Sequence, residues 1–152
     1  MADVPAVKLD RAALALLIPQ QGAMCLLDSV EYQDAQRIIC TSMQHRAAAN
    51  PLRTPAGLSS LHGIEFAAQA MAVHAGLAAA ATRRPEEGLL LSARDCVFRC
   101  RRLDCFDAPL RVEAELMGNH GGTRLYRFKI EALATLLVEG RLAVLLRDKV
   151  GA

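Results

Sequence analysis

Residues 58–81, LSSLHGIEFAAQAMAVHAGLAAAA, constrain the fold more than any other stretch of the chain. The run is nearly all apolar, yet polar residues interrupt it at helical spacing. On a helix turning about 100° per residue, His62, Glu65 and Gln69 fall within about 60° of one another. Small and apolar residues such as Ala67, Ala70, Met71 and Ala78 make up the rest. A helix that is apolar nearly all round is buried, either in a protein core or in lipid. Burying a carboxylate costs several kcal/mol unless the group is paired, neutralised or used. Glu65, with a histidine one turn before it and an amide one turn after it, is therefore the residue that the fold must explain. The plainer alternative is a partly exposed helix end at which Glu65 meets water.

The run is close to the roughly 20 residues that span a bilayer. However, His62, Glu65, Gln69 and His74 lie inside it, and each is expensive in lipid. A buried helix in a folded domain is expected, with no membrane contact. The N-terminal residues 1–19 lack a basic segment followed by an apolar core and a small-residue cleavage site, so a cytoplasmic protein is expected. The 152 residues suit one domain, 1–152, with a single core. A formal charge of +2, four Phe, two Tyr and no Trp argue against a nucleic-acid partner. The five cysteines (Cys25, Cys40, Cys96, Cys100 and Cys105) are odd in number and contain no C-x-x-C pair. Neither a disulfide framework nor a zinc site is indicated, and most are expected to be small core residues. His62 and Glu65 alone are too few to hold a metal, and no cofactor is expected.

Taken in order, Asp10 can cap a short helix over residues 11–17, ended by Pro19. Residues 25–32 and 37–43 read as two strands joined by a turn at 33–36. A loop carrying Pro51, Pro55 and Gly57 follows, and Ser59 or Ser60 can cap the central helix. Residues 83–88 form a surface connector. Strands are then predicted at 89–101, 110–117, 124–132 and 138–146, with a Gly-rich hairpin turn at 118–122. In the second of these, Leu110, Val112, Ala114 and Leu116 share one face, while Arg111, Glu113 and Glu115 share the other. Helix, two strands, long helix and four strands make an α+β domain: an antiparallel sheet with one helix laid across it.

Specific residues then suggest a family. Leu17-Ile18-Pro19 followed by Leu26-Leu27-Asp28-Ser29-Val30 resembles the "I/L-P-H … L-L-D-x-V" opening of hotdog-fold (3R)-hydroxyacyl-[acyl-carrier-protein] dehydratases. Glu65-Phe66-Ala67-Ala68-Gln69 resembles their "E-A-M-A-Q" helix motif, and Cys96-Val97-Phe98-Arg99-Cys100-Arg101-Arg102 their "V-R-F-R-R" strand. The likeness covers roughly residues 17–146. It is nearest to the small dehydratase-like subunits of aryl-polyene and related pigment pathways, which share a "G-I-E-[YF]-A-A-Q-A-M-A" helix.

The resemblance implies dehydration of 3-hydroxyacyl thioesters, bound to acyl carrier protein or coenzyme A, to trans-2-enoyl thioesters in fatty-acid or polyene synthesis. In such enzymes a helix Glu or Asp and a loop His meet across a subunit interface at the mouth of an acyl tunnel. One group removes the α-proton and the other assists departure of the hydroxyl. A carboxyl in an apolar tunnel suits acid–base work near neutrality. Backbone N–H groups at the helix N-terminus polarise the thioester carbonyl. The implied catalytic candidates are Glu65, His62 and His45. Gly63, Gln69, Arg53, Arg99 and Arg101 are the candidates for substrate binding.

The departures from the family pattern matter as much. The loop "G-H-F-P-G-H-P-x-M-P-G", which supplies the catalytic His, is replaced by Asn50-Pro51-Leu52-Arg53 and Thr54-Pro55-Ala56-Gly57. The His after Ile-Pro is replaced by Gln20 and Gln21. His62, on the same helix face as Glu65, or His45, reaching a neighbour's Glu65, would have to stand in. His74 is turned about 180° from Glu65, and His120 sits in the hairpin turn. Arg53, Arg99, Arg101 and Arg102 are suited to steering an acidic carrier protein, or else form an ordinary solvated face.

Three readings follow: a dehydratase using Glu65, a non-catalytic or half-catalytic hotdog subunit paired with another dehydratase chain, and an acyl thioesterase. The "L-L-D-x-V" and "V-F-R" segments favour the dehydratase over the thioesterase. In each case a homodimer or heterodimer is expected, because a lone hotdog leaves a sheet edge unpaired.

Overall fold

The computed structural model describes residues 8–79 and 87–147. Most of the predicted connector at 83–88 and the last two residues of the predicted helix, 80–81, lie outside the described residues. Helix α1 (Arg11–Ala15) starts where the sequence predicts, with the Asp10 carboxylate accepting the Ala13 N–H at 2.9 Å. It is shorter than expected, and the chain leaves it through a turn at Leu16 and Leu17. Strands β1 (Ser29–Gln33) and β2 (Arg37–Ser42) form a hairpin. Asp34 closes their turn by accepting the N–H groups of Gln36 and Arg37 at 2.9 and 2.7 Å. A 3₁₀ turn (Ser60–His62) runs directly into α2 (Gly63–Ala79). Strands β3 (Glu87–Phe98), β4 (Leu110–His120), β5 (Thr123–Ala132) and β6 (Thr135–Arg147) complete one antiparallel sheet, ordered β1-β2-β4-β5-β6-β3. α2 lies against β2, β4 and β5, giving the expected α+β arrangement.

Three local expectations need correction. The first strand begins at Ser29 rather than residue 25. Over residues 25–27 the backbone is held by a helix side chain instead of a strand, since Gln69 accepts the Leu26 N–H at 2.8 Å and donates to the Met24 carbonyl at 2.8 Å. β4 runs on to His120, so only Gly121 and Gly122 turn, with φ of 57° and 85°. Two successive positive φ values suit the right-handed twist of a tight hairpin. The next hairpin turns on Leu133 and Ala134, also at positive φ (51° and 60°), without any residue that advertises a turn. That is why β6 starts at Thr135, earlier than its pattern suggests.

The core lies between α2 and the sheet. Phe66, Ala67, Ala70, Met71 and Val73 of α2 are buried with Ile38, Cys40, Val112, Ala114, Phe128 and Ile130 of the strands. Each large side chain so buried contributes about 1.5–3 kcal/mol. The helix start is pressed onto the sheet: a Cβ at Gly63 would meet Ile130 Cδ1 at 3.1 Å and Val138 Cγ2 at 3.3 Å. Further along, Gly76 lets the N-terminal segment cross the helix, its missing Cβ lying 3.3 Å from the Leu17 carbonyl oxygen. Cys25 and Cys40 are core residues as expected, and burial pushes the Cys40 thiol up to about 12. Cys96 and Cys100 are only half-buried and Cys105 is exposed. Among the described residues, no helix is long and apolar enough to cross a membrane.

Candidate active site

Glu65 occupies the first turn of α2 and is half-buried. Two amides converge on one of its oxygens. Gln69 Nε2 donates to Oε1 at 3.2 Å from the next turn of the helix, and Gln20 Nε2 donates to the same atom at 3.4 Å. Oε2 has no hydrogen-bond partner among the described residues, and no cation pairs with the carboxyl. Gln69 is fully buried, and its oxygen is committed to the Leu26 N–H. Its amide orientation is therefore fixed, and its N–H groups must face Met24 and Glu65. Gln69, expected to bind substrate, thus fastens residues 24–26 to the helix and braces Glu65.

Beside Glu65 lies a cavity of about 140 Å³, walled by Leu17, Ala68, Met71, Ala72, Val144 and Leu146 among others. Glu65 and Gln20 are its polar groups. Ala68, Ala72 and Gly76 recur every fourth residue along α2, so their small side chains keep one helix face open beneath the N-terminal segment. Gly88 and Leu90 of β3, one of the two edge strands of the sheet, also line it. A larger cavity of about 330 Å³ on the opposite face of the sheet is walled mainly by charged side chains of both signs, among them Asp95, Arg127, Lys129 and Glu139. Of the two, the Glu65 cavity is the one lined mainly by apolar side chains with a carboxyl among them.

Neither candidate histidine lines this cavity. His62 ends the 3₁₀ turn, half-buried, and makes no ion pair or hydrogen bond with Glu65 among the described residues. His45 is fully buried in a different region, its Nε2–H donating to the Phe106 carbonyl at 2.8 Å. Burial lowers its pKa, with the neighbouring carbonyls opposing, so it is a neutral structural group rather than a side chain free to reach a neighbour. His74 packs inside as well, bonded to the Tyr126 hydroxyl and the Asp34 carbonyl, both at 2.8 Å.

Gly63 does not offer a free N–H, because it donates to the carbonyls of the preceding turn. The Ser60 N–H donates to the Arg101 carbonyl, that of Leu61 to Ser59 Oγ, and that of His62 to the Ser59 carbonyl. The 3₁₀ turn extends the helical stack backwards and satisfies it, so the expected carbonyl-polarising donors are already engaged.

The basic cluster also divides. Arg102 grips Asp104 through two bonds of 3.0 and 2.6 Å, Arg53 approaches the same carboxylate at 3.5 Å, and Arg99 pairs with Glu139 at 3.1 Å. Of the four, only Arg101 is exposed with no anionic partner among the described residues.

The family model of the ApeP-like proteins, described as ApeP dehydratase, matches residues 12–151. The chain belongs to the ApeP-like family. This ApeP-like protein is accordingly a hydroxyacyl dehydratase, a lyase, and the thioesterase reading is not better supported. No curated protein is significantly similar to it in sequence. Among solved structures it is similar to a chain of the dehydratase heterocomplex ApeI:P from Xenorhabdus doucetiae (22% identity, 90% of this chain and 91% of that one, TM-score 0.80). It is also similar to a substituted thioesterase from Staphylococcus aureus (15% identity, 78% and 92% covered, TM-score 0.58). A hypothetical thioesterase protein with coenzyme A from Streptococcus pneumoniae matches too (12% identity, 78% and 84% covered, TM-score 0.56). At these identities the likeness shows the hotdog fold, which the sequence motifs had implied.

Gln20 is the site residue that the sequence reading passed over. The signal was present, since Gln20 stands where the family motif has the His after Ile-Pro, and that register leads to Glu65.

Proposed function

We propose that this ApeP-like dehydratase works in the cytoplasm on 3-hydroxyacyl thioesters carried by an acyl carrier protein, yielding trans-2-enoyl thioesters for fatty-acid or aryl-polyene chains. Glu65 is the proton-transfer group. The observation that carries this reading is a half-buried carboxyl on the wall of an apolar cavity, held at Oε1 by two amides and with no partner at Oε2 among the described residues. Glu65 takes a proton from C2, the C–H electron pair becomes the C2–C3 double bond, and the C3–O bond breaks. The same carboxyl then returns the proton to the departing hydroxyl, releasing water and restoring the carboxylate. His62, the histidine nearest in sequence, is assigned a minor part. Arg101, which has no anionic partner among the described residues and whose carbonyl meets the start of the helical stack, suits an acidic carrier.

A hotdog partner completes the unit. Leu89, Leu90, Leu91 and Val97 are all more than 40% exposed on edge strand β3, an arrangement that invites strand pairing. Gly88 and Leu90 of the same strand line the cavity, so a subunit on that edge sits beside the site. The similar Xenorhabdus doucetiae chain comes from a heterocomplex, and no histidine lines the cavity here. Both features support a hotdog partner on this edge, covering the cavity in which Glu65 carries the proton from C2 to the hydroxyl.

The test is reversible hydration of short 2-enoyl thioesters, on carrier and on coenzyme A, by the chain alone and with candidate hotdog partners. Glu65→Gln should cut turnover by about 10²-fold or more, the usual share of a general acid–base group. Full activity in that variant would remove Glu65 from the reaction.

A further inference from the structure

Among the described residues, two buried side-chain polar atoms lack a hydrogen-bond partner, and one of them belongs to a residue that lines the Glu65 cavity. They are His45 Nδ1 and Gln20 Oε1. The second belongs to the amide that donates to Glu65. A carboxylate only accepts, so the Gln20 NH₂ must be the end turned toward Glu65, and the carbonyl oxygen is left as the buried acceptor. Leaving such an acceptor unmatched costs about 1–3 kcal/mol, and a native fold keeps one only where something else repays it.

The local chain fixes Gln20 in this pose. Pro19 restricts the backbone before it. The neighbouring Gln21 folds back, its Nε2 donating to the carbonyls of Ala15 and Ile18 at 2.9 and 3.0 Å. Arg11 holds the Gly22 carbonyl at 3.0 Å and Asp28 at 3.0 Å, closing the segment from its other side. Two adjacent glutamines therefore divide the work, with Gln21 tying the turn and Gln20 entering the cavity beside Glu65.

We propose that Gln20 is a substrate-positioning and specificity residue: its Oε1 accepts the hydrogen bond of the substrate's 3-hydroxyl, while its NH₂ holds Glu65 next to the same carbon. The inference rests on the dehydratase reading of the Glu65 cavity. It requires a donor on the ligand, and among an acyl thioester chain's groups near the reacting carbons only the 3-hydroxyl has one. The saturated acyl thioester offers none, and the 2-enoyl product offers none. Gln20 thereby distinguishes the hydroxylated substrate from its product and from fully reduced chains. An acceptor placed for a hydroxyl discriminates against ligands that lack it, because it stays buried and unpaired when they bind.

The experiment is equilibrium binding of two pantetheine thioesters of equal chain length, one 3-hydroxyacyl and one saturated acyl, to the full chain and to its Gln20→Met and Gln20→Leu variants. Thermal melts of each protein monitor folding, and Gln20→Met keeps the side-chain length. The parent should prefer the 3-hydroxy ligand by about tenfold, the worth of one buried hydrogen bond. Both variants should bind the saturated ligand as the parent does and lose the preference. Equal weakening of both ligands makes Gln20 a structural residue and overturns the proposal, as does an unchanged preference or a parent that binds neither ligand. Glu65→Gln run in parallel separates the two readings. Turnover that survives in Glu65→Gln removes the Glu65 reading, while the ligand preference still decides Gln20.

Discussion

Two carboxyl groups reach the interior of this molecule, Asp104 from the loop between β3 and β4 and Glu65 from the first turn of α2, and they are treated differently. Asp104 is almost fully buried and is met by two guanidinium groups and the Leu58 N–H, the last at 3.0 Å. Arg102, hydrogen-bonded to it, holds its pKa far below the usual carboxylate range, with the Leu58 N–H acting in the same direction. Its backbone carbonyl also takes a bond from Arg46 at 2.7 Å. Asp104 therefore ties residues 46, 53, 58 and 102 into one piece, immediately before the turn that starts α2. Among the described residues, Glu65 is met by neutral amides alone, and it lines an apolar cavity. A carboxylate surrounded by cations is fixed as a strut, whereas one held by amides on a single oxygen leaves its other oxygen without a partner among the described residues.

The sharpest way to break this contrast is to exchange the two groups' readouts. Glu65→Gln should abolish most turnover while shifting the melting temperature by no more than about 3 °C, since the amide keeps the side chain's size and its oxygen can still accept from Gln20 and Gln69. Asp104→Ala should cost about 3 kcal/mol in urea unfolding, because it strands the Leu58 N–H and releases two arginines. A Glu65→Gln protein as unstable as Asp104→Ala would mean that both carboxyls are structural.

Next comes the brace. Gln69→Leu leaves the Met24 carbonyl and the Leu26 N–H without partners, so a loss of about 2 kcal/mol is expected. Hydrogen exchange should quicken over residues 24–27 while the β4–β5 ladder stays protected. Unchanged exchange there would remove Gln69 from its fastening role.

A pH series tests the interior around both groups. Burial lowers the pKa of His45 and of His74 relative to 6.5. Above that value both imidazoles are neutral whether folded or unfolded, and they contribute no pH dependence. Below it the unfolded chain binds protons that the folded chain resists, so the urea midpoint should fall as pH drops from 7 toward 5. Asp104 adds a further loss only in stronger acid, below the ordinary carboxylate value of 3.8. Replacing His74 by Gln should flatten the first decline, and a midpoint constant from pH 7 to 5 would contradict two neutral buried histidines.

The smallest effect belongs to the basic surface. Arg101→Glu should raise the apparent KM for a carrier-bound substrate by about threefold at low salt, with stability unchanged and the effect fading as salt is added. Reversing Arg102 instead would also break the Asp104 hub, so it would not isolate docking.

Much of this was legible in the chain. The apolar run with Glu65 at a helical offset fixed the buried helix, and the alternation of Leu110, Val112 and Ala114 marked the inner face of a strand whose residues are indeed buried. Glu113, read on the outer face, is nonetheless nearly buried, because Arg37, Arg111 and Lys129 from three strands close over it. The Leu133-Ala134 turn was invisible because neither residue has a turn preference, and only the β5–β6 register forces their positive φ.

The site divides along the same line. Periodicity sufficed to place Glu65 on a buried helix and Gln69 on its face, because both belong to one helix and helical geometry is local. Which groups meet Glu65 was decided by tertiary structure. Gln20 lies 45 residues away in sequence, and it reaches the carboxyl because Gly76 lets the segment around Leu17 cross α2 closely. His45 was withdrawn into the Phe106 loop, and Arg53 and Arg102 were drawn to Asp104, by hydrogen bonds spanning loops that no periodic pattern links. Local spacing determines which face a residue shares. Long-range packing determines which partner it finds there.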